Sequence, residues 1–354
     1  MRAIAEQAGV SRMTVSKALR GVAGVSNKNR ERIQQIAEEL GYVPDPNVSM
    51  AMAAVAKTRS ADGERLAFLT THDSEHGWKR FSHIVGCFEG ARARANALGF
   101  ELEPFWALQP RTDMSKMLFA RGINGVLIAP TGENLLLEGQ RCIDMDWKHF
   151  SVVAVDELLD SPRMTSVRHN HFTSMFEVLY RLESLGYKRI GLSLSRLTEA
   201  RNRHRWTGAY LLWLKNCLEG HEIPFFLHGE EDESQAYKAW VETNQIDAVI
   251  GLPADFTLLQ KAGFKCPEEL GFALLDRLEV PDVELEFSGI DQKAHFLGET
   301  AINAMVGLMN TRTKGVPDSP VKLVCEGLWI EGATTRRVGP AVSDRSLYNM
   351  ALMQ

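Results

Sequence analysis

Apolar positions in the first 44 residues recur at helical spacing in three short runs. Ala3, Ile4, Ala8, Val10, Val15, Ala18 and Leu19 form one seam across two predicted helices. Gly9 lies between them, where the first helix must stop and a Cβ is costly. Ser11 suits the N-cap of the second helix, and Arg12, Met13, Ser16 and Lys17 lie on its outer side. A third helix follows Ser26, with Ile33, Ile36, Ala37 and Leu40 in phase. Gly41 ends it, and Pro44 and Pro46 forbid its continuation. Two short helices around a glycine turn, backed by a third, are the layout of a helix-turn-helix, whose second helix enters the major groove of DNA.

The pattern then changes to short apolar runs alternating with amphipathic segments. Strands are predicted at 66–70, 100–106, 125–129, 151–155, 189–193, 223–227, 248–252 and 270–275. Helices are predicted at 81–98, 112–121, 132–145, 171–185, 204–219 and 233–243. This rhythm implies parallel sheets wrapped by helices, in two lobes of similar build. The fold class expected is therefore α/β: an all-α helix-turn-helix head and a two-lobed, periplasmic-binding-protein-like α/β body. A small ligand belongs in the cleft between such lobes, at the carboxyl ends of the strands.

Charge sharpens the division. Residues 1–60 hold nine Lys/Arg and five Asp/Glu, hence +4, so a chain with net charge −5 leaves about −9 for the remainder. A basic head on an acidic body suits contact with phosphates. The head is only mildly basic, which favours two copies on a two-fold site, a homodimer. A hydrophobic content of 45% supplies real cores and excludes a disordered body. No membrane span or signal peptide is expected, which points to the cytoplasm. The five cysteines form no Cys-x-x-Cys pair, so neither zinc nor a disulfide framework is expected.

Over about residues 1–338 the chain resembles the lactose-repressor (LacI/GalR) family. The resemblance rests first on AIAEQAGVSRMTVSKALRG and VSNKNRERIQQIAEELGYVP. It continues more weakly in LGYKRIGL at 185–192, RWTGAY at 205–210, the segment from Ser288 to Met309, and LWIEGAT at 328–334. Tyr187 and Glu331 depart from the family's usual His and Arg. The resemblance implies a DNA-binding head at 1–44, a hinge at 45–62, a body at 63–338 and a tail at 339–354. Lobe 1 is expected at about 63–157 plus 288–323, and lobe 2 at about 158–287 plus 324–338. It also implies that Arg12, Met13 and Lys17 read base edges, that Thr14 and Ser16 serve packing or phosphates, and that Arg30 and Arg32 favour phosphates. In the family the hinge helices press a leucine into the minor groove. Here Ala51 takes that position between Met50 and Met52, and alanine cannot wedge a base step apart. Met50 or Met52 substitutes if the register shifts; otherwise the segment is a plain linker.

For the cleft, the resemblance places an effector-binding arginine at Arg205, with a planar fork for diols, carboxylate or phosphate. Arg201 and Arg203 read better as a solvated face. Asp276 and Asp156 follow strands as acceptors for hydroxyls, or as turn formers. Thr71 and His72 follow the first strand, and Asp255 follows Pro253 where the family often has an Asn-Asp pair. Trp78, in a polar loop, is a candidate stacking platform. His169 and His171 straddle Asn170, but no further ligand at sensible spacing completes a metal site. Nucleophile-elbow, phosphate-loop and dinucleotide motifs are missing, so the reading is no enzyme, no metal and no cofactor. Its sum is a transcriptional regulator, most readily a repressor, modulated by a sugar or sugar derivative. The alternative is a small-molecule binder with a vestigial head.

Overall fold

The computed structural model describes residues 2–19, 25–40, 64–130, 143–156, 162–217, 223–229, 231–277 and 284–340. The hinge with Met50, Ala51 and Met52, residues 132–142 of the helix expected at 132–145 and most of the tail lie outside the described residues, and residues 143–145 are not helical. Residues 1–63 and 64–354 form two compact units.

In the first unit, helices α1 (Arg2–Ala8), α2 (Arg12–Leu19) and α3 (Asn27–Glu39) enclose a small core. It is built from Ile4, Ala5, Ala8, Val15, Ala18, Ile33, Ile36 and Ala37. Gly9 turns the chain at φ +63°. Ser11 Oγ accepts from the Thr14 amide at 3.1 Å, which caps α2. The Thr14 hydroxyl lies 2.9 Å from the same oxygen, so Thr14 helps to start the helix. Ala3 and Leu40 are exposed rather than part of the seam.

Among the described residues, the second unit holds two six-stranded sheets. The first contains β1 (Glu64–Thr70), β2 (Phe100–Trp106), β3 (Gly125–Ile128), β4 (Ser151–Val155), β5 (Thr165–His169) and β11 (Lys322–Cys325), in the order β11-β5-β4-β3-β1-β2. All its pairings are parallel. Its central strands β1, β3 and β4 are buried on both faces, as parallel strands between helices are, whereas the edge strands β2 and β11 are partly exposed. Leu66 and Phe68 enter one cluster, which α4 (Ser82–Ala97) and α11 (Ala294–Thr311) cover. Ala67 and Leu69 enter the opposite cluster, with Leu118 of α5 (Met114–Ala120) and Trp147.

The second sheet contains β6 (Ile190–Ser195), β7 (Phe226–His228), β8 (Ala248–Gly251), β9 (Gly271–Leu274), β10 (Gly289–Asp291) and β12 (Leu328–Ile330), in the order β12-β10-β9-β8-β6-β7. Only β12 runs antiparallel to its neighbour. Its helices are α6 (His171–Ser184), α7 (Arg196–Arg201), α8 (Arg205–Cys217), α9 (Ser234–Thr243) and α10 (Pro253–Lys261).

The strand pairing corrects the expected lobe limits. Thr165–His169 bonds to β4 and β11 and therefore belongs to lobe 1, not to lobe 2. Gly289–Asp291 pairs with β9 and β12 and belongs to lobe 2, and Val324 and Cys325 belong to lobe 1. The chain thus crosses between lobes after β5, between β10 and α11, and between β11 and β12. The first two crossings reach the cavity described below through His171 and Gln292.

Helices α4 and α11 approach each other through Gly90 and Gly298. A Cβ on Gly90 would overlap the His295 carbonyl, and one on Gly298 the Cys87 carbonyl. Helix propensity alone favours alanine at both positions by about 1 kcal/mol. The backbone overlap outweighs it: Gly298→Ala is expected to destabilise the body by about 1–3 kcal/mol. Urea unfolding followed by circular dichroism checks this, and a stabilised variant would contradict the close approach.

Candidate functional site

Strand ends from both lobes border a cavity of about 330 Å³. Lobe 1 contributes Phe81, His83 and Ile84 near the start of α4, Asp156 just past β4, and Arg168 on β5. Lobe 2 contributes His171, Arg201, Arg205, Trp206, Leu252, Pro253 and Asp276. Gln292, at a crossing, joins them. The volume is at the small end of ligand pockets, roughly 300–1,000 Å³. Phe81, Ile84, Leu252 and Pro253 offer apolar walls, and the charged groups lie among them.

Backbone geometry positions these groups. Asp156 sits at φ +63°, and its amide donates to the Val167 carbonyl at 2.8 Å. A non-glycine residue held left-handed after a strand carries strain that a functional position tolerates. Between α7 and α8, Arg203 and His204 are both left-handed, at φ +50° and +58°. This double turn brings Arg201, at the end of α7, and Arg205, at the start of α8, to the same cavity. Ser195 caps α7 by accepting from the Thr198 amide at 3.1 Å. The Gln292 side-chain amide donates to the Leu275 carbonyl at 2.9 Å, which tethers the turn that carries Asp276.

His83 links the two acidic residues. Its Nδ1 lies 3.2 Å from Asp276 Oδ2 in lobe 2, and its Nε2 lies 3.9 Å from Asp156 Oδ2 in lobe 1. Burial pulls the imidazole towards neutrality, but Cys87 and Asp276 overcome it and raise His83 well above 6.5. Burial also raises the Cys87 thiol above 9.0, so the thiol is neutral at pH 7 and the carboxylate is the effective partner. Asp156 is itself raised by burial, against the pull of His83, Arg201 and Arg205.

A group whose folded pKa is raised stabilises the fold fully below its unfolded value. That stabilisation is lost as pH rises through the folded value. For His83 the loss therefore begins above 6.5. His83→Gln is expected to remove this part of the pH dependence, so that variant and wild-type melting temperatures converge towards alkaline pH. Melting scans from about pH 6 to pH 9 test this, and a gap that widens with pH would contradict it.

His171 is buried and packs edge-on against Trp206, with ring centroids 4.9 Å apart. Burial, then His169 and Arg205, lowers His171 well below 6.5, so it is neutral. Burial, then the charges of His83 and Arg168, holds His169 down to about 3. Trp206 Nε1 and His171 Nδ1 are buried without a hydrogen-bond partner, although both residues line the cavity.

Of the residues singled out from sequence, Asp156, Arg205 and Asp276 meet at this cavity. Arg201 lines it too, where a solvated face was expected. Trp78 does not: it is 3% exposed and packs on Phe68 and Phe88 as core, because the loop around it folds back onto β1 and α4. Asp255 is buried by its own partners. It accepts from Ser193 Oγ at 2.6 Å and the Leu252 amide at 2.8 Å, and it contacts His228 Nε2 at 2.9 Å. It therefore fixes the start of α10 and presents Pro253 to the cavity. Thr71 and His72 are buried beside the cavity rather than in its lining. The His72 ring lies tilted against Phe81, centroids 5.3 Å apart, and burial with Arg201 and Arg80 holds it down to about 4. His83, Arg168 and Gln292 were missed. The packing of α4 brings His83 to the site, the pairing of β5 brings Arg168 and the crossing after β10 brings Gln292, and no local spacing signals any of these.

In the head, the backbone of α2 is described, whereas the side chains of Arg12, Met13, Ser16 and Lys17 lie outside the described residues. Thr14 and Arg30 are both partly buried. Among the described residues no three His, Cys, Asp or Glu side chains cluster as metal ligands. No described helix is long and apolar enough to cross a membrane.

Comparison with known proteins gives this geometry its setting. Residues 1–45 match the model of the bacterial regulatory proteins of the lacI family. The head is thus a helix-turn-helix domain of the lacI-family type. The HTH-type transcriptional repressor CytR of Escherichia coli (strain K12) is 23% identical over 346 residues, covering 94% of this chain and 96% of that protein. The structure of a transcriptional regulator CelR–cellobiose complex matches with a TM-score of 0.56 at 18% identity, covering 94% of this chain and 98% of that one. A lac repressor dimer bound to operator and the anti-inducer ONPF matches with a TM-score of 0.54, also at 18% identity and with the same coverage. The chain therefore combines a lacI-type DNA-binding helix-turn-helix head with the α/β body fold of those regulators.

Proposed function

We propose that this protein is a transcriptional repressor of the lacI family that works as a homodimer in the cytoplasm and responds to a small polyhydroxylated effector. The observation that carries this reading is the cavity between lobes, where Asp156, Arg205 and Asp276 converge below an α/β fold shared with cellobiose- and ONPF-bound regulators. Carboxylates accept from ligand hydroxyls, and a guanidinium donates in a planar fork. His83 already draws Asp276 of lobe 2 towards lobe 1. A ligand that engages both lobes changes their closure, and operator affinity shifts by its differential affinity for the two closures. In the head, Arg12, Met13 and Lys17 read base edges while Ser16, Thr14 and Arg30 support contact with the backbone.

The protein is not an enzyme in this reading. The described Ser193, Asp255 and His228 illustrate why: both Ser193 and His228 bond to Asp255, so no imidazole stands between hydroxyl and carboxylate to act as base.

Salt titration of operator binding tests the DNA function. Two engaged heads predict a logarithmic affinity that falls steeply and linearly with the logarithm of salt concentration, on one preferred sequence. Weak binding with equal affinity for all sequences would instead support a vestigial head.

A further inference from the structure

One imidazole spans the cavity from lobe to lobe. His83 stands in the first turn of α4, which packs on the sheet of lobe 1. Its Nδ1 lies 3.2 Å from Asp276 Oδ2, just past β9 in lobe 2, and its Nε2 lies 3.9 Å from Asp156 Oδ2, just past β4 in its own lobe. Both carboxylates are presented by fixed backbone. Gln292 tethers the turn of Asp276 through Leu275, and a left-handed φ holds Asp156. Among the described residues the other titratable groups around the ring are Cys87 on α4, His169 on β5 and His171 on α6. Burial keeps the Cys87 thiol protonated, and burial holds His169 at about 3 and His171 well below 6.5. The charged side chains nearby are Arg168, which acts on both of those histidines, and Arg201 and Arg205, which act on Asp156.

The first turn of a helix is a poor place for a cation, because its backbone N–H groups already present positive charge. No side chain caps α4 there. Burial adds to the cost, yet Cys87 and Asp276 outweigh it and raise the ring well above 6.5. The charge on His83 therefore leans on a carboxylate that belongs to the other lobe. When the lobes part, Asp276 leaves with lobe 2, and the helix end, the neutral thiol and the more distant Asp156 remain. The open form holds the proton less firmly than the closed form. Proton uptake and closure are consequently linked, and each favours the other by the same factor.

We propose that His83 is a proton-operated latch between the lobes: as an imidazolium it holds Asp276 and keeps them closed, and as a neutral ring it lets them part. The closed form is favoured fully below the ring's open-state value, and the advantage is lost as pH rises through the higher closed-state value. That loss lies above 6.5. An effector that closes the lobes and releases operator then works together with the proton, so acid weakens operator binding. This consequence rests on the regulator reading above, whereas the latch itself does not.

Distances between two nitroxide labels on the full chain test the latch without DNA or effector. Keto side chains at the exposed positions 93 on α4 and 239 on α9 carry the labels, and dilution with unlabelled chain keeps the measured pairs within one protomer. The single distance population at about pH 6 is expected to give way to a second one towards about pH 9. His83→Gln, or Asp276→Asn should the first not fold, is expected to show the second population at every pH. Glu183, pushed up to about 7 by burial, and His228, raised against its burial by Asp255, also titrate in this range. Both remain in the variants, so the difference from wild type isolates His83. A wild-type distribution indifferent to pH overturns the proposal, as does a shift that persists in both variants. Operator affinity at constant salt is the second readout. Residues 1–63 contain neither histidine nor cysteine, so pH acts on that affinity through the body. Wild-type affinity for the DNA fragment recovered by selection is expected to rise about fivefold or more from about pH 6 to about pH 9, and the variants are expected to lack the rise. A rise retained in both variants overturns the latch. Labels that respond as expected while no DNA fragment binds selectively keep the latch and remove the regulator reading.

Discussion

Asp276→Asn and Arg205→Ala are each expected to leave ligand-free operator binding intact and to weaken the response to effector by about 10- to 100-fold. The two residues face the cavity from separate strand and helix ends of lobe 2. Each supplies hydrogen bonds to a charged group, and such bonds contribute about 1.5–3 kcal/mol. Asp276→Asn keeps the shape of the turn that Gln292 tethers through Leu275, so the loss reports charge rather than collapse. It also removes the nearer carboxylate from His83, which then loses its main anionic support at neutral pH. The effector concentration needed for half-maximal release of a labelled operator fragment gives the measurement. Undiminished response in both variants would remove the cavity from the mechanism.

The second large effect belongs to the head. Arg12→Ala and Lys17→Ala are expected to abolish selective operator binding while the fold of the head survives. Both lie on α2, which enters the core of the head through Val15 and Ala18. A well-placed bidentate base contact discriminates by about 1–3 kcal/mol, and a two-fold operator counts it twice. The expected pattern is loss of preference between operator and random DNA, with residual salt-sensitive binding from the remaining cations. Competition binding at two salt concentrations distinguishes this from simple weakening. Equal loss on both DNAs would assign the two side chains to phosphates.

Local patterns made much of this architecture legible. Gly9 and Ser11 marked the turn and cap of the head, because a left-handed glycine and a side-chain cap are decided by a few neighbouring residues. The apolar runs at 66–70 and 151–155 are strands because strands buried on both faces carry continuous hydrophobic sequence. What escaped is non-local. Thr165–His169 carries too little hydrophobicity to read as a strand, and its place between β4 and β11 fixes it in lobe 1. Its Arg168 consequently reached the cavity unannounced. α7 is only one and a half turns long and lies among charged residues, so no period betrayed it.

The site divided along the same line. Asp156, Arg205 and Asp276 stood at ends of elements visible in the sequence, and they meet across the cavity. Trp78 looked like a platform because its loop is polar, but its indole closes the cluster of Phe68 and Phe88. Asp255 looked like a ligand group because it follows a strand, but three protein partners already occupy its carboxylate. His83 had no role to read from the sequence, because only the packing of α4 sets it between two carboxylates from different lobes.

The most direct test of a ligand-controlled DNA-binding protein is selection of genomic DNA fragments by the purified chain, with and without a panel of neutral and anionic polyols. The expected result is one enriched two-fold-symmetric motif whose recovery changes with a ligand, and whose ligand response is lost in Asp276→Asn. Recovery of no motif at low salt, or of a motif indifferent to every ligand that occupies the cavity, would contradict it.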